Sequence, residues 1–196
     1  MSPQKISLGI TGGIGSGKSY VCHLLEMHGI PVFYCDPEAR IEMQTNPEIW
    51  KDLSELVGKG IFSDDHQLNK PLMRDFMMRS PQNVSQINSV IHPRVLQRLL
   101  RWIEAQPSRI VAVECALLFE SGFDKYVSHR VFVSASESVR LHRVMTRDSI
   151  DEQTARKWMS WQLSEEKKQR LSDFVIVNDG QHDLEPQIDL LLNFKK

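Results

Sequence analysis

Cysteine is scarce: Cys22, Cys35 and Cys115 are scattered and form no CxxC pair. That argues against a disulfide scaffold or a thiolate zinc site, and the three read as buried, apolar-like side chains in a reducing compartment. Net charge is almost absent as well, since 24 basic residues against 25 acidic ones leave −1. Such a balance gives no general reason to expect a nucleic-acid or membrane partner. No apolar run is long enough to cross a bilayer, and the opening Met1-Ser2-Pro3-Gln4-Lys5 has no apolar h-region. A cytoplasmic protein is expected. Internal repeats and low-complexity tracts are missing too. A chain of 196 residues suits one globular domain with a good core, 1–196, and leaves room for a helical insertion.

What is present is alternation. Residues 5–10 form a short β-type run, followed by a glycine cluster and a helical stretch over 18–27 with Val21, Leu24 and Leu25 on one face. His28-Gly29 supplies a helix stop. Residues 30–34 read as a second strand, and Asp36-Pro37 as a helix start with a capping carboxylate and a first-turn proline. From 46 to 106 the pattern is mostly helical, broken near Gly58 to Gly60 and at Pro71, Pro81 and Pro93. Residues 110–113, 130–133 and 174–177 are solid apolar blocks of the kind found in strands buried on both faces, and 117–119 extend the apolar character of the first. A charged helical region, 137–171, lies between the last two. Strands separated by helices predict an α/β fold, a doubly wound sheet of five parallel strands. Helical material is inserted between the second and third.

The glycine cluster carries the strongest signal. Gly12-Gly13-Ile14-Gly15-Ser16-Gly17-Lys18-Ser19 fits GxxxxGK[ST] completely and lies between a predicted strand and a predicted helix, the context such a phosphate loop (P-loop) needs. Glycines let the backbone turn its N–H groups inward around phosphates, and the following helix start adds partial positive charge. Gly13, Ile14, Gly15, Ser16, Gly17, Lys18, Ser19 and Tyr20 are the expected nucleotide contacts, with Lys18 on the β- and γ-phosphates and Ser19 on Mg²⁺. Glu114, ending an apolar run, reads either as a second Mg²⁺ group acting through water or as a buried acid paired to a cation. The DxxG and NKxD of a GTPase are both absent. Asn178-Asp179-Gly180 is either a plain turn or one that passes the adenine. Arg140, Arg143 and Arg147 recur at i, i+3 and i+7, as a solvated helix face or as guanidiniums that close over phosphates. A helical lid of this kind excludes water in kinases of small molecules.

Ordered blocks then carry a more specific resemblance. The stretch from Leu8 to Ser19 resembles the opening of dephospho-coenzyme A kinases, and the segment from Val32 to Arg40 resembles their VIDADxIAR, keeping Asp36 and Ala39-Arg40. The run from Ile87 to Pro93 resembles LNxxxHP, the run from Ala116 to Glu120 resembles PLLFE, and the run from Val175 to Gly180 resembles VIxNxG. Arg143 and Arg147-Asp148 match the lid's RxxxRD, and Gln162 a later glutamine. Three positions depart: Tyr34 replaces the first Asp of DAD, Ala116 the Pro of PLLFE, and Lys70 an arginine of the substrate region, losing a bidentate fork.

The resemblance implies transfer of the γ-phosphate of ATP to the ribose 3′-hydroxyl of dephospho-CoA, the last step of coenzyme A synthesis. ATP and Mg²⁺ are the implied cofactors. Asp36 is implied to orient the attacking hydroxyl, against its reading as a helix cap, and Arg143 and Arg147 to neutralise the transferring phosphoryl group. Asn178 joins the nucleotide contacts. Arg40, Lys70 and His92 are candidates on the substrate side; His92 also reads as a structural residue at a helix start. The insertion, 46–106, is expected to form most of the acceptor pocket, and 137–171 the lid. Trp158 and Trp161 read as packing rather than base stacking. The rivals are another small-molecule kinase of this fold and a nucleotide-binding switch without a small acceptor.

Overall fold

The computed structural model describes residues 5–194. Its elements run β1 (Ile6–Thr11), α1 (Lys18–Met27), β2 (Val32–Tyr34), α2 (Cys35–Thr45), α3 (Pro47–Val57), α4 (Lys70–Arg79), α5 (Pro81–Ala105), β3 (Ile110–Glu114), β4 (His129–Ser134), α6 (Glu137–Asp148), α7 (Glu152–Met159), α8 (Glu165–Leu171), β5 (Phe174–Val177) and α9 (Glu185–Leu192). Five strands make one sheet in the order β2-β3-β1-β4-β5, and β1 pairs in parallel with both β3 and β4. The chain therefore leaves β1 toward one edge and leaves β3 toward the other. The carboxyl ends of β1 and β3 flank the switch point, where ligands of open parallel sheets bind.

Two compact units emerge, 5–33 with 106–194 and Tyr34–Ala105. In the first, the central strands are apolar on both faces. Leu8, Ile10, Val111, Val113, Val131, Val133 and Ile176 are buried, each contributing about 1.5–3 kcal/mol by leaving water. Strand β5 lies at the sheet edge, and its terminal Val177 has both backbone groups engaged by the Gln187 side chain, which accepts from the amide and donates to the carbonyl. That blunts an edge otherwise open to further pairing. Residues 117–119, apolar as they are, form a turn rather than more strand.

The second unit is helical and runs from Tyr34 to Ala105. Helix α2 is tied into it by Arg98 of α5, which pairs with Glu38 and Glu42. Pro71 and Pro81 stand in the first turns of α4 and α5, where a missing N–H costs nothing. Pro93 does not break its helix as expected: α5 runs through it for 25 residues. His92 accordingly sits in mid-helix, not at a start. Asp36 is not the cap of α2 either; Tyr34 precedes the helix, and Asp36 falls in its first turn. The charged region after β4 resolves into three helices because each start has its own cap, Ser136 on Val139, Asp151 on Thr154 and Ser164 on Lys167.

Candidate functional site

The chain leaves β1 at Thr11 and turns through the glycines into α1, whose first residue is Lys18. Two glycines there are demanded by space as well as by φ. Gly15 (φ 80°) lies so close to α6 that an added Cβ would stand 2.5 Å from the Arg140 carbonyl oxygen. Gly17 (φ 88°) has the Asn178 side-chain amide against it. Any side chain at either would combine left-handed backbone strain with collision.

Lys18 is buried, and its ammonium donates to the carbonyls of Gly12 (3.1 Å) and Gly13 (3.2 Å). A cation is thus stored inside the loop by its own backbone. Ser16 is fully buried, and its hydroxyl is, among the described residues, a buried side-chain atom with no hydrogen-bond partner. Leaving such a group unsatisfied costs about 1–3 kcal/mol, which suits a loop built to receive a polyanion. Ser19 and Tyr20 are exposed at the start of α1, and Glu114 is buried at the end of β3, paired in register with Ile10. No three His, Cys, Asp or Glu side chains among the described residues gather into a metal cage. Magnesium taken up with phosphates uses one or two protein oxygens and water, and the Ser19 hydroxyl and Glu114 carboxylate fit that donor set.

Asn178 and Arg143 hold the loop from outside. The Asn178 amide donates to the Ser16 carbonyl at 2.8 Å, and the Arg143 guanidinium donates to the carbonyls of Gly15 (3.4 Å), Ser16 (3.3 Å) and Asn178 (3.1 Å). Arg147 is exposed and paired with its neighbour Asp148, whose carboxyl it holds below the usual range. The three arginines of α6 therefore have different surroundings. Arg140 is buried, donating to the Ala135 carbonyl (3.3 Å) and lying 3.5 Å from Glu165. Both Arg140 and Glu165 press against Gly13. Burial raises the Glu165 carboxyl above its ordinary pKa, against the pull of Arg140, Lys168 and Lys18.

Glu165 and Lys168 carry no local signal of their role, and Glu120 stands out only as the end of the PLLFE-like block. The run Glu165-Glu166-Lys167-Lys168 reads as a solvated face, yet Lys168 is fully buried, donating to the Ala116 carbonyl at 2.7 Å and pairing with Glu120 at 3.1 Å. Trp158 packs on the cluster of Leu141, Val144 and Ala155 that also takes Ile14, while Trp161 is largely exposed. Burial pushes the Cys22 thiol up strongly, with Glu114 adding to it. In the second unit, Asp36, Arg40 and Lys70 are exposed, and the half-buried His92 has its imidazole pKa lowered by burial.

The turn that carries Asn178 is ordered by Asp179, which accepts from the amides of Gln181 (2.9 Å) and His182 (3.0 Å). These bonds hold the Asp179 carboxyl down to about 2. A carboxylate depressed in the folded state stabilises fully above its unfolded pKa, and that stabilisation is lost as pH falls through the folded value. The stability gap between wild type and Asp179→Ala, read from urea midpoints, is expected to be constant above pH ~4 and to close toward pH 2. A gap independent of pH across that window would refute the assignment.

The dephospho-CoA kinase family model matches residues 6–183. Among curated relatives, the dephospho-CoA kinase of Bacteroides fragilis (strain YCH46) is 41% identical over 190 residues, 96% of this chain and 92% of its own length. The crystal structure of TT1252 from Thermus thermophilus superposes with a TM-score of 0.83 at 29% identity, covering 96% of this chain and 97% of that one. The dephospho-CoA kinase of Campylobacter jejuni, 20% identical with a TM-score of 0.68 over 96% of both chains, shares the fold. The ordered blocks and these matches agree: the chain belongs to the dephospho-CoA kinase family.

Proposed function

We propose that the protein transfers the γ-phosphate of ATP to the ribose 3′-hydroxyl of dephospho-CoA. The observation that carries this reading is a complete phosphate loop, with a buried lysine, at the switch point of a parallel sheet in a chain of this family. The loop amides and Lys18 bind the β- and γ-phosphates. The Ser19 hydroxyl and the Glu114 carboxylate would hold Mg²⁺, which would supply neutralisation of phosphate charge there. Asn178 and Arg143 keep the loop in shape, Arg140 lies buried against it, and Arg147 neutralises charge on the transferring group once its exposed pair with Asp148 opens. Phosphoryl transfer asks mainly for positioning and charge neutralisation, which is what such a set supplies.

The acceptor is assigned to the helical material, with 46–106 supplying most of its pocket and Arg40, Lys70 and His92 as contacts. Asp36 orients the attacking hydroxyl; its support is its place two residues beyond the carboxyl end of β2, together with the family match. The region 137–171 acts as the lid. Three buried cysteines outside any disulfide support a cytoplasmic setting, and among the described residues no helix is long and apolar enough to cross a membrane.

Incubation with ATP, Mg²⁺ and dephospho-CoA is expected to give a product heavier by one phosphoryl group, read directly by mass spectrometry. ATP binding without that product would remove the acceptor from the proposal and bring nucleosides, nucleotides and sugars forward.

A further inference from the structure

The connector between α7 and α8, 160–164, meets the nucleotide loop and is fastened at two successive residues. The Gln162 side-chain carbonyl accepts the Ile14 amide at 2.9 Å. The next residue, Leu163, donates its own amide to Glu120 at 2.8 Å, and Glu120 also pairs with the buried Lys168 at 3.1 Å. Lys168 in turn donates to the Ala116 carbonyl, which the Thr11 hydroxyl approaches at 3.5 Å. A chain of polar contacts thus leaves the loop at its entry, Thr11, passes through 116–120 and α8, and returns at Ile14. The Ile14 side chain is fixed separately, by packing on the cluster of Leu141, Val144 and Ala155.

An amide within a phosphate loop normally has the choice of an anion or water. Here a neutral side-chain acceptor fixes the Ile14 peptide, and the amides before and after it, Gly13 and Gly15, share the geometry that peptide sets. Neutrality matters at this point, because Glu165 already brings a carboxylate against Gly13, balanced by Arg140. We infer that Gln162 is a positioning residue for phosphoryl transfer, holding the Ile14 peptide so that the neighbouring loop amides face the triphosphate. The inference rests on the proposal that this loop binds ATP.

Gln162→Met keeps length and removes the acceptor. It is expected to raise the KM for ATP about fivefold, the loss of one ordinary hydrogen bond. The KM for dephospho-CoA should hold and the Tm should fall by a few degrees at most, while the Ile14 amide exchanges faster with solvent deuterium. Gln162→Glu retains an acceptor and should keep that amide protected. An unchanged Ile14 exchange rate and ATP KM in the Met variant would overturn the role. A parallel rise in both KM values with a larger fall in Tm would also overturn it, reducing Gln162 to a structural contact. Lys18→Ala serves as the control: if it leaves ATP affinity untouched, the loop reading fails with the inference, whereas an effect confined to Lys18 sinks the inference alone.

Discussion

Lys18→Ala is expected to lower turnover by about 10²–10³, the cost typical of removing one preorganised charge-stabilising donor, while the protein stays folded. Lys18 opens α1, where alanine is the best helix former, so the backbone has no reason to change. The substitution strips a donor from the carbonyls of Gly12 and Gly13, at about 1 kcal/mol for each bond. It also relieves the burial of a charge, which offsets part of that loss. Against a typical stability of about 5–15 kcal/mol, the balance should appear as a Tm shift of a few degrees. Catalysis has no such offset, because among the described residues no other ammonium is shown held by the carbonyls of the loop.

Lys18→Arg should rescue poorly. An ammonium held between two carbonyls is a compact point charge, and a planar fork does not fit the same space. Turnover in either variant within about tenfold of wild type would remove Lys18 from the reaction. A matching loss of Tm and turnover would mean that the loop had collapsed rather than lost its charge.

The parts legible in the sequence are those governed by local rules. Solid apolar blocks marked β3 and β4 because strands buried on both faces have no polar alternative, whereas the equally apolar β5 lies at the sheet edge with Val175 exposed. The phosphate loop was legible because glycine spacing, strand and helix all had to agree. Pro93 misled, since proline usually ends a helix, yet α5 continues through it. Asp36 misled in a subtler way: as a cap it would put the first helical residue at Pro37, but α2 begins two residues earlier, at Cys35.

At the site, arginine spacing correctly put three guanidiniums on α6 but could not rank their surroundings. Arg140 is buried, Arg143 braces carbonyls and Arg147 stays in solvent, because burial is decided by what packs across from the helix. Lys168 shows the same limit from the other side. Nothing local separates it from Lys167, yet one is exposed and the other reaches Ala116 and Glu120 from full burial. Such roles are set by partners some fifty positions away in the chain, where local pattern carries no information.

Asp36→Asn tests the acceptor half of the reaction, and the fold makes it a clean test. Asp36 is exposed in the first turn of α2 and makes no capping hydrogen bond for that helix, so the change removes charge while keeping size and polarity. The structural cost is limited to the attraction between a carboxylate and a helix start, about 0.3–1 kcal/mol. A carboxylate is a weak base, and in a loose transition state it acts mainly by orienting the hydroxyl and taking its proton late. The expected loss in kcat is therefore about 10², the lower end for general-base groups, with the KM for ATP unchanged. If instead kcat holds and only the KM for dephospho-CoA rises, Asp36 binds the acceptor without assisting its attack. A rate near wild type at saturating substrate, with both KM values intact, would sink its role altogether and send the search for the orienting group to other residues.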